Sequence, residues 1–131
     1  MADAPDKKSV VLVVEDDEAI LEFLATTLEM EGYEVFSATD GQKGLDMIVQ
    51  HHPGAVLLDL LMPGLDGFGV LEKMAERNDT AKIPVTVVSA YADAGPAREL
   101  LAKAKNVQKV FTKPVRSDEL LRQVKAMLDS R

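Results

Sequence analysis

The 131 residues include no cysteine, which removes disulfides, thiolate metal sites and thiol nucleophiles at once. No apolar run approaches the roughly 18 residues needed to span a bilayer, and nothing ahead of Val10 has the layout of a signal peptide. Positive charge is also in short supply. Lys and Arg number 15 against 22 Asp and Glu, and the net charge of −7 repels a phosphate backbone. No basic, aromatic-studded stretch overrules that total, so neither direct nucleic-acid binding nor membrane insertion is expected, and a cytoplasmic location fits. What is present is the balance of a soluble globular protein, 47% hydrophobic and 28% charged, with the length of one ordinary domain.

Residues 1–8 are polar and read as a flexible tail ahead of a single domain over 9–131. Ser9–Val14 is a continuous apolar run rich in β-branched residues, as in a strand buried on both faces. Ile20, Leu21, Leu24 and Leu28 then form a helical stripe that stops at Glu31–Gly32. Tyr33–Ala38 alternates as a strand, and Leu45, Ile48 and Val49 line a second helix ending before Pro53. Ala55–Leu58 is a third strand, followed by a helix whose stripe is Phe68, Leu71, Met74 and Ala75. Ile83–Val88 is a fourth strand, residues 97–104 a weaker helix, and Val107–Phe111 a fifth strand. The last helix has Ser117 as its expected N-cap, Asp118 and Glu119 at the positive end of its dipole, and Leu120, Leu121, Val124 and Leu128 on its buried face. Strict alternation of strand and helix, without a linker, predicts an α/β domain with a parallel sheet covered on both faces. Ligands of such sheets sit beyond the carboxyl ends of the strands, where strand order reverses.

Several of those ends carry chemistry. The first strand runs into Glu15, Asp16 and Asp17, the third ends in Asp59, the fourth in Ser89–Ala90, and the fifth in Thr112–Lys113–Pro114. Each alone is ordinary: an acidic triplet as helix N-terminal charge, Asp59 as a turn residue, Ser89 as a cap, Lys113 as a loop cation. Folded to one edge, they are not. Converging carboxylates repel each other unless a cation joins them. Mg²⁺ suits such a site because it binds through one or two carboxylates and leaves positions for water and phosphate oxygens. Lys113 adds a positive charge and Ser89 a hydrogen-bond donor. Phosphoryl transfer needs mainly positioning and charge neutralisation, with Asp59 as the nucleophile.

These residues, in the segments VLVVEDDE, LLDLLMPGLDGFGVL, VVSAYAD and FTKP, resemble the receiver domain of two-component response regulators over residues 9–129. The resemblance implies a flavodoxin-like, doubly wound sheet of five parallel strands in the order 2-1-3-4-5 with five helices; that order comes from the family and not from the periodicity. It implies that Glu15 and Asp16 hold Mg²⁺ together with Asp59 and the backbone carbonyl of Leu61. Asp59 matches the phosphoacceptor, Ser89 the hydroxyl that moves toward the phosphoryl group, and Lys113 the lysine of the Lys–Pro pair. It implies a donor that is a sensor histidine kinase, a histidine phosphotransfer protein or a small acyl phosphate, and a signalling role in place of a conventional enzyme activity. The face from the fourth to the fifth helix is the family's dimerisation face.

Departures from the family pattern set further expectations. Val110 stands where an aromatic is usual, with Phe111 one residue later on the opposite side of the strand. Lys105–Asn106 replaces a common Gly-Ala pair, so the fourth-helix region is expected to be reshaped into an unusual partner surface. Leu61 and Tyr91, at the positions flanking the attacking water, predict slow self-dephosphorylation. No effector region follows the last helix, so the expected output is a protein contact. The chain would act as a stand-alone receiver, a phosphorelay intermediate or the receiver piece of a hybrid kinase. An Mg²⁺-dependent phosphatase with an aspartyl nucleophile would want a second carboxylate where Leu61 stands. A flavin-binding module would not place Glu15–Asp17 against its phosphate. His51 and His52 are expected to be partners of a helix C-terminus and not ligands.

Overall fold

The computed structural model describes residues 10–90 and 95–129. The tail over 1–8, Ser9 and Tyr91 lie outside that set. Five strands, β1 (Val10–Val14), β2 (Glu34–Ala38), β3 (Ala55–Leu58), β4 (Val85–Ser89) and β5 (Val107–Thr112), alternate with α1 (Glu18–Met30), α2 (Gly41–His51), α3 (Gly67–Ala75), α4 (Gly95–Lys103) and α5 (Ser117–Asp129). All strand pairs are parallel and the order is β2-β1-β3-β4-β5, the flavodoxin-like arrangement. None of the helices in the described residues is long and apolar enough to cross a membrane.

The pleat splits the apolar strands into two cores. Leu12, Val14, Val56, Leu58, Val85 and Val87 face one side, where Leu45, Ile48, Val70, Leu71, Met74 and Leu101 cover them. Val11, Val13, Ala55 and Leu57 face the other, against Leu24 and Leu28 of α1 and Leu120, Val124, Met127 and Leu128 of α5. Each fully buried side chain of this kind contributes about 1.5–3 kcal/mol. Because β1 and β3 are buried on both faces, they read as continuous runs without alternation.

Several element details differ from the sequence reading. Pro84 has no N–H, so the β4 ladder starts at Val85 and extends through Ser89, although Ile83 is still buried. β5 likewise continues to Thr112, which pairs with Ser89. On α3 Leu71 and Met74 are buried as expected and Val70 joins them, while Phe68 is half-buried and Ala75 is exposed. α5 begins with Ser117 itself: Leu120 N donates to the Arg116 carbonyl at 2.9 Å, so Arg116 stands in the cap position. Leu121 is only half-buried, and Met127 completes the buried stripe; it accepts a contact from the buried Thr86 hydroxyl at 3.2 Å. Asn106 ties β4 to β5, its Nδ2 donating to the Ile83 carbonyl at 3.1 Å and its own carbonyl accepting from Val85 N at 2.9 Å. Val110 packs into the α2–α3 side core, whereas Phe111 lies under Lys109, on the α5 side.

The histidines follow separate courses. His51 packs edge-on to Phe36, with ring centroids 4.8 Å apart. His52 ends α2 in the left-handed conformation (φ 46°) and contacts Asp79 at 3.0 Å, while Arg77 grips the same carboxylate at 2.9 and 2.8 Å. Hydrogen bonding to Arg77, then to His52, holds the Asp79 carboxyl well below the usual carboxylate range. A depressed carboxyl stabilises the fold above its unfolded value of 3.8 and loses that contribution as pH falls through the lower folded value. Asp79→Asn is therefore expected to melt slightly below wild type at neutral pH, with the difference vanishing in strong acid; thermal melts across pH check this.

Candidate functional site

The switch between β1 and β3 places two carboxylates side by side. Val14 pairs with Leu58, so the next residues, Glu15 and Asp59, leave the sheet level with each other. Their backbones are pinned there: Glu15 N donates to the Ala38 carbonyl at 3.0 Å and Asp59 N to the Val14 carbonyl at 3.0 Å. Both side chains are sunk into the sheet edge, with residue exposures of 1% and 5%. Asp16, next along the chain, is exposed and reaches the same point. One ligand oxygen from each of Glu15, Asp16 and Asp59 falls within 4.8 Å of the others.

The acidic triplet thus divides its work. Asp17 caps α1, its Oδ1 accepting from Ala19 N at 3.0 Å and Ile20 N at 3.1 Å, and this turn leaves Glu15 and Asp16 free to aim inward. On the β3 side, Asp66 caps α3 by accepting from Gly69 N at 2.9 Å, and Gly67 N donates to the Leu60 carbonyl at 2.9 Å. Gly67 is a positional requirement that spacing alone did not reveal. A Cβ there would run into the Asp59 carbonyl oxygen and stand 2.8 Å from Leu60 Cα, so only glycine lets α3 approach the Asp59 backbone. Asp59 Oδ1 also accepts from Leu60 N at 2.8 Å, which fixes the carboxylate plane.

Lys113 closes the cluster from β5. Its N–H donates to the Ser89 carbonyl at 3.1 Å, and its Nζ lies 2.7 Å from Glu15 Oε1 and 3.6 Å from Asp59 Oδ2. The peptide between Lys113 and Pro114 is cis. Burial by itself would pull the Lys113 ammonium down, but Glu15 and Asp59 outweigh it and the net shift is upward. Glu15 moves up as well, chiefly through burial and further through the Asp59 charge, against the pull of Lys113. Its buried Oε1 meets the Lys113 ammonium at 2.7 Å. Three carboxylates against one ammonium leave an excess of negative charge at this partly buried sheet edge. An all-oxygen donor set whose negative charge exceeds what one ammonium offsets fits a hard divalent cation of the Mg²⁺ type.

The other expected site residues lie at the same edge. Ser89 is fully buried at the end of β4. Leu61 is 49% exposed and forms part of the open rim. Glu15, Asp16, Asp59 and Lys113 are the residues the fold brings into mutual reach.

Comparison with known proteins agrees with this geometry. The sequence model described as the response regulator receiver domain matches residues 11–125. The DNA-binding dual master transcriptional regulator RpaA of Synechocystis is 35% identical over 118 residues, covering 90% of this chain and 48% of that protein. The chain spans about half the length of the curated relatives it matches. A CheY-like response regulator receiver domain protein from Methanospirillum hungatei superposes with a TM-score of 0.84 at 30% identity, covering 92% of this chain and 94% of that one. The receiver domain of the Pseudomonas aeruginosa sensor histidine kinase PA1611, solved with a magnesium ion coordinated in its active-site cleft, shares the fold with a TM-score of 0.83 at 24% identity, covering 92% and 97%. With the family's sheet order and the acidic cluster at its switch point, the chain belongs to the response regulator receiver domain family of two-component systems.

Proposed function

We propose that Asp59 accepts a phosphoryl group from a phosphohistidine on a partner kinase or phosphotransfer protein, in a reaction that requires Mg²⁺, and that the domain over 9–131 acts as a signalling switch. The observation that carries this reading is the approach of three carboxylates to within 4.8 Å, with Lys113 Nζ at 2.7 and 3.6 Å from two of them. Glu15, Asp16, Asp59 and the Leu61 carbonyl would hold the metal. When bound, it would neutralise charge on the phosphoryl oxygens. An Asp59 oxygen attacks phosphorus as the bond to the donor's imidazole nitrogen breaks. That nitrogen keeps the electron pair, and with a proton on the other ring nitrogen the donor's ring leaves as neutral imidazole. Lys113 then pairs with a phosphoryl oxygen and the Ser89 hydroxyl donates to another. The receiver reading places this chain among signalling phosphoacceptors, with no turnover of an outside substrate.

A direct test traps the acyl phosphate chemically. After incubation with acetyl phosphate and Mg²⁺, borohydride reduces an aspartyl phosphate to homoserine. Peptide mass spectrometry is expected to find homoserine at position 59; its appearance at another aspartate, or nowhere, overturns the assignment.

Leu61 also sets a lifetime. It offers no carboxylate or carboxamide to orient a water at the rim, so the aspartyl phosphate is expected to decay slowly. Leu61→Asn is expected to speed the loss of radiolabel about tenfold, a modest effect for a positioned polar group. Rapid decay that Leu61→Asn leaves unchanged would contradict this role.

A further inference from the structure

A groove of about 760 Å³ runs between α3 and α4, outside the carboxylate cluster. Its lining is apolar where Phe68 and Leu71 meet Leu100, and Leu100 is 51% exposed. Its two edges differ in sign, with Glu72 on the α3 wall and Lys103 and Lys105 on the other. Among the described residues none of these three charges belongs to an ion pair, so all remain available to a partner. Each wall leaves from the edge where the site lies. α3 is seated against the Asp59 carbonyl through Gly67, and α4 follows β4, which ends in Ser89. A change at Asp59 or Ser89 therefore acts on the groove from both sides.

We propose that this groove is the output surface and that its occupant is an amphipathic helix of a partner protein. The apolar stripe of that helix is flanked by basic residues toward α3 and by acidic residues toward α4. Charge complementarity selects this class. A polyanion would meet the two lysines but be repelled by Glu72 and by the net charge of −7. A helix presents one apolar stripe between two edges of independent charge, as the groove requires. As an output role, the proposal rests on the phosphoacceptor reading above.

The test pans a display library against the full chain, unmodified and after treatment with acetyl phosphate and Mg²⁺. The library holds helices of about 20 residues, some 30 Å long, with a fixed leucine stripe and randomised flanking positions. Charge-ordered binders, acidic along one edge and basic along the other, are expected. Leu100→Asp should weaken them about tenfold or more, with an unchanged thermal melt. The double change Lys103→Glu, Lys105→Glu should select helices whose acidic edge has become basic. Binders without charge order, or binders indifferent to Leu100→Asp, overturn the groove as a docking site. Equal affinity for the two forms of the chain overturns its output role. Phosphoryl uptake is read by mass on the same samples. Charge-ordered binding without uptake at Asp59 therefore rejects the phosphoacceptor reading alone, and uptake without charge-ordered binding rejects the groove alone.

Discussion

Glu15→Gln is expected to raise the melting temperature of the metal-free protein by roughly 3–5 °C, corresponding to about 1 kcal/mol, while weakening Mg²⁺ binding at least tenfold. The two effects share one cause. Glu15 is 1% exposed, and its carboxyl is pushed up by burial and by the Asp59 charge, against the pull of Lys113 at 2.7 Å from its Oε1. An ionised group there opposes the fold and serves the cation. Glutamine has the same shape and keeps an acceptor for the Asp17 N–H, which Glu15 Oε2 now receives at 3.1 Å. Lys113 keeps Asp59 as its counter-charge at 3.6 Å. With one anionic ligand gone, phosphorylation by acetyl phosphate is expected to slow about 100-fold, the scale for deleting one electrostatic group at a charge-stabilised transition state. Thermal melts without metal, followed by Mg²⁺ titration, check both halves. A variant that melts lower than wild type would show that Glu15 stabilises the fold and does not strain it.

Gly67→Ala has the opposite balance: both stability and chemistry suffer. The new methyl would press on the Asp59 carbonyl oxygen and stand 2.8 Å from Leu60 Cα, both of them backbone atoms. No side chain can swing aside, so α3 must withdraw and the bond from Gly67 N to the Leu60 carbonyl at 2.9 Å is strained. Overpacking of this kind costs about 1–3 kcal/mol, or roughly 9–15 °C of melting temperature at the upper end. A displacement of Asp59 by about 1 Å would cost on the order of 100-fold in rate. Gly69→Ala is the control. Its Cβ meets the tip of the Leu65 side chain, which can rotate, and alanine favours the helix, so a change under about 1 kcal/mol is expected. Equal melting temperatures for the two variants would contradict the backbone argument.

The sequence pattern and the structure agree most closely where burial dictates pattern. Val11–Val14 and Ala55–Leu58 are apolar on both faces because helices cover both, and that continuity marked them as buried strands. The location of the site followed from chain order, since the residues that follow β1, β3 and β5 must meet at one edge. Details set by single backbone groups were less visible. Pro84 reads as part of an apolar run until its missing N–H is matched against the ladder. Asp17 looks like its two acidic neighbours, and only the helix N-terminus assigns it to capping. Ser117 has the composition of a cap, yet α5 starts one residue earlier in register, with Arg116 pairing to Asp118 at 3.1 Å. Met127 was absent from the expected stripe because α5 buries a wider face than Leu120, Val124 and Leu128 alone define. The seat of Gly67 depends on how closely α3 packs against β3, a distance that no spacing rule encodes.

The central claim is that Asp59 is phosphorylated through a metal site built from Glu15 and Asp16, and intact mass measurement tests it most directly. Wild type and Asp59→Ala are incubated with acetyl phosphate, each with Mg²⁺ and with excess chelator. One added phosphoryl group is predicted on wild type with Mg²⁺, and none on wild type with chelator or on Asp59→Ala under either condition. A phosphoryl group on Asp59→Ala, or undiminished labelling of wild type in chelator, would contradict the account.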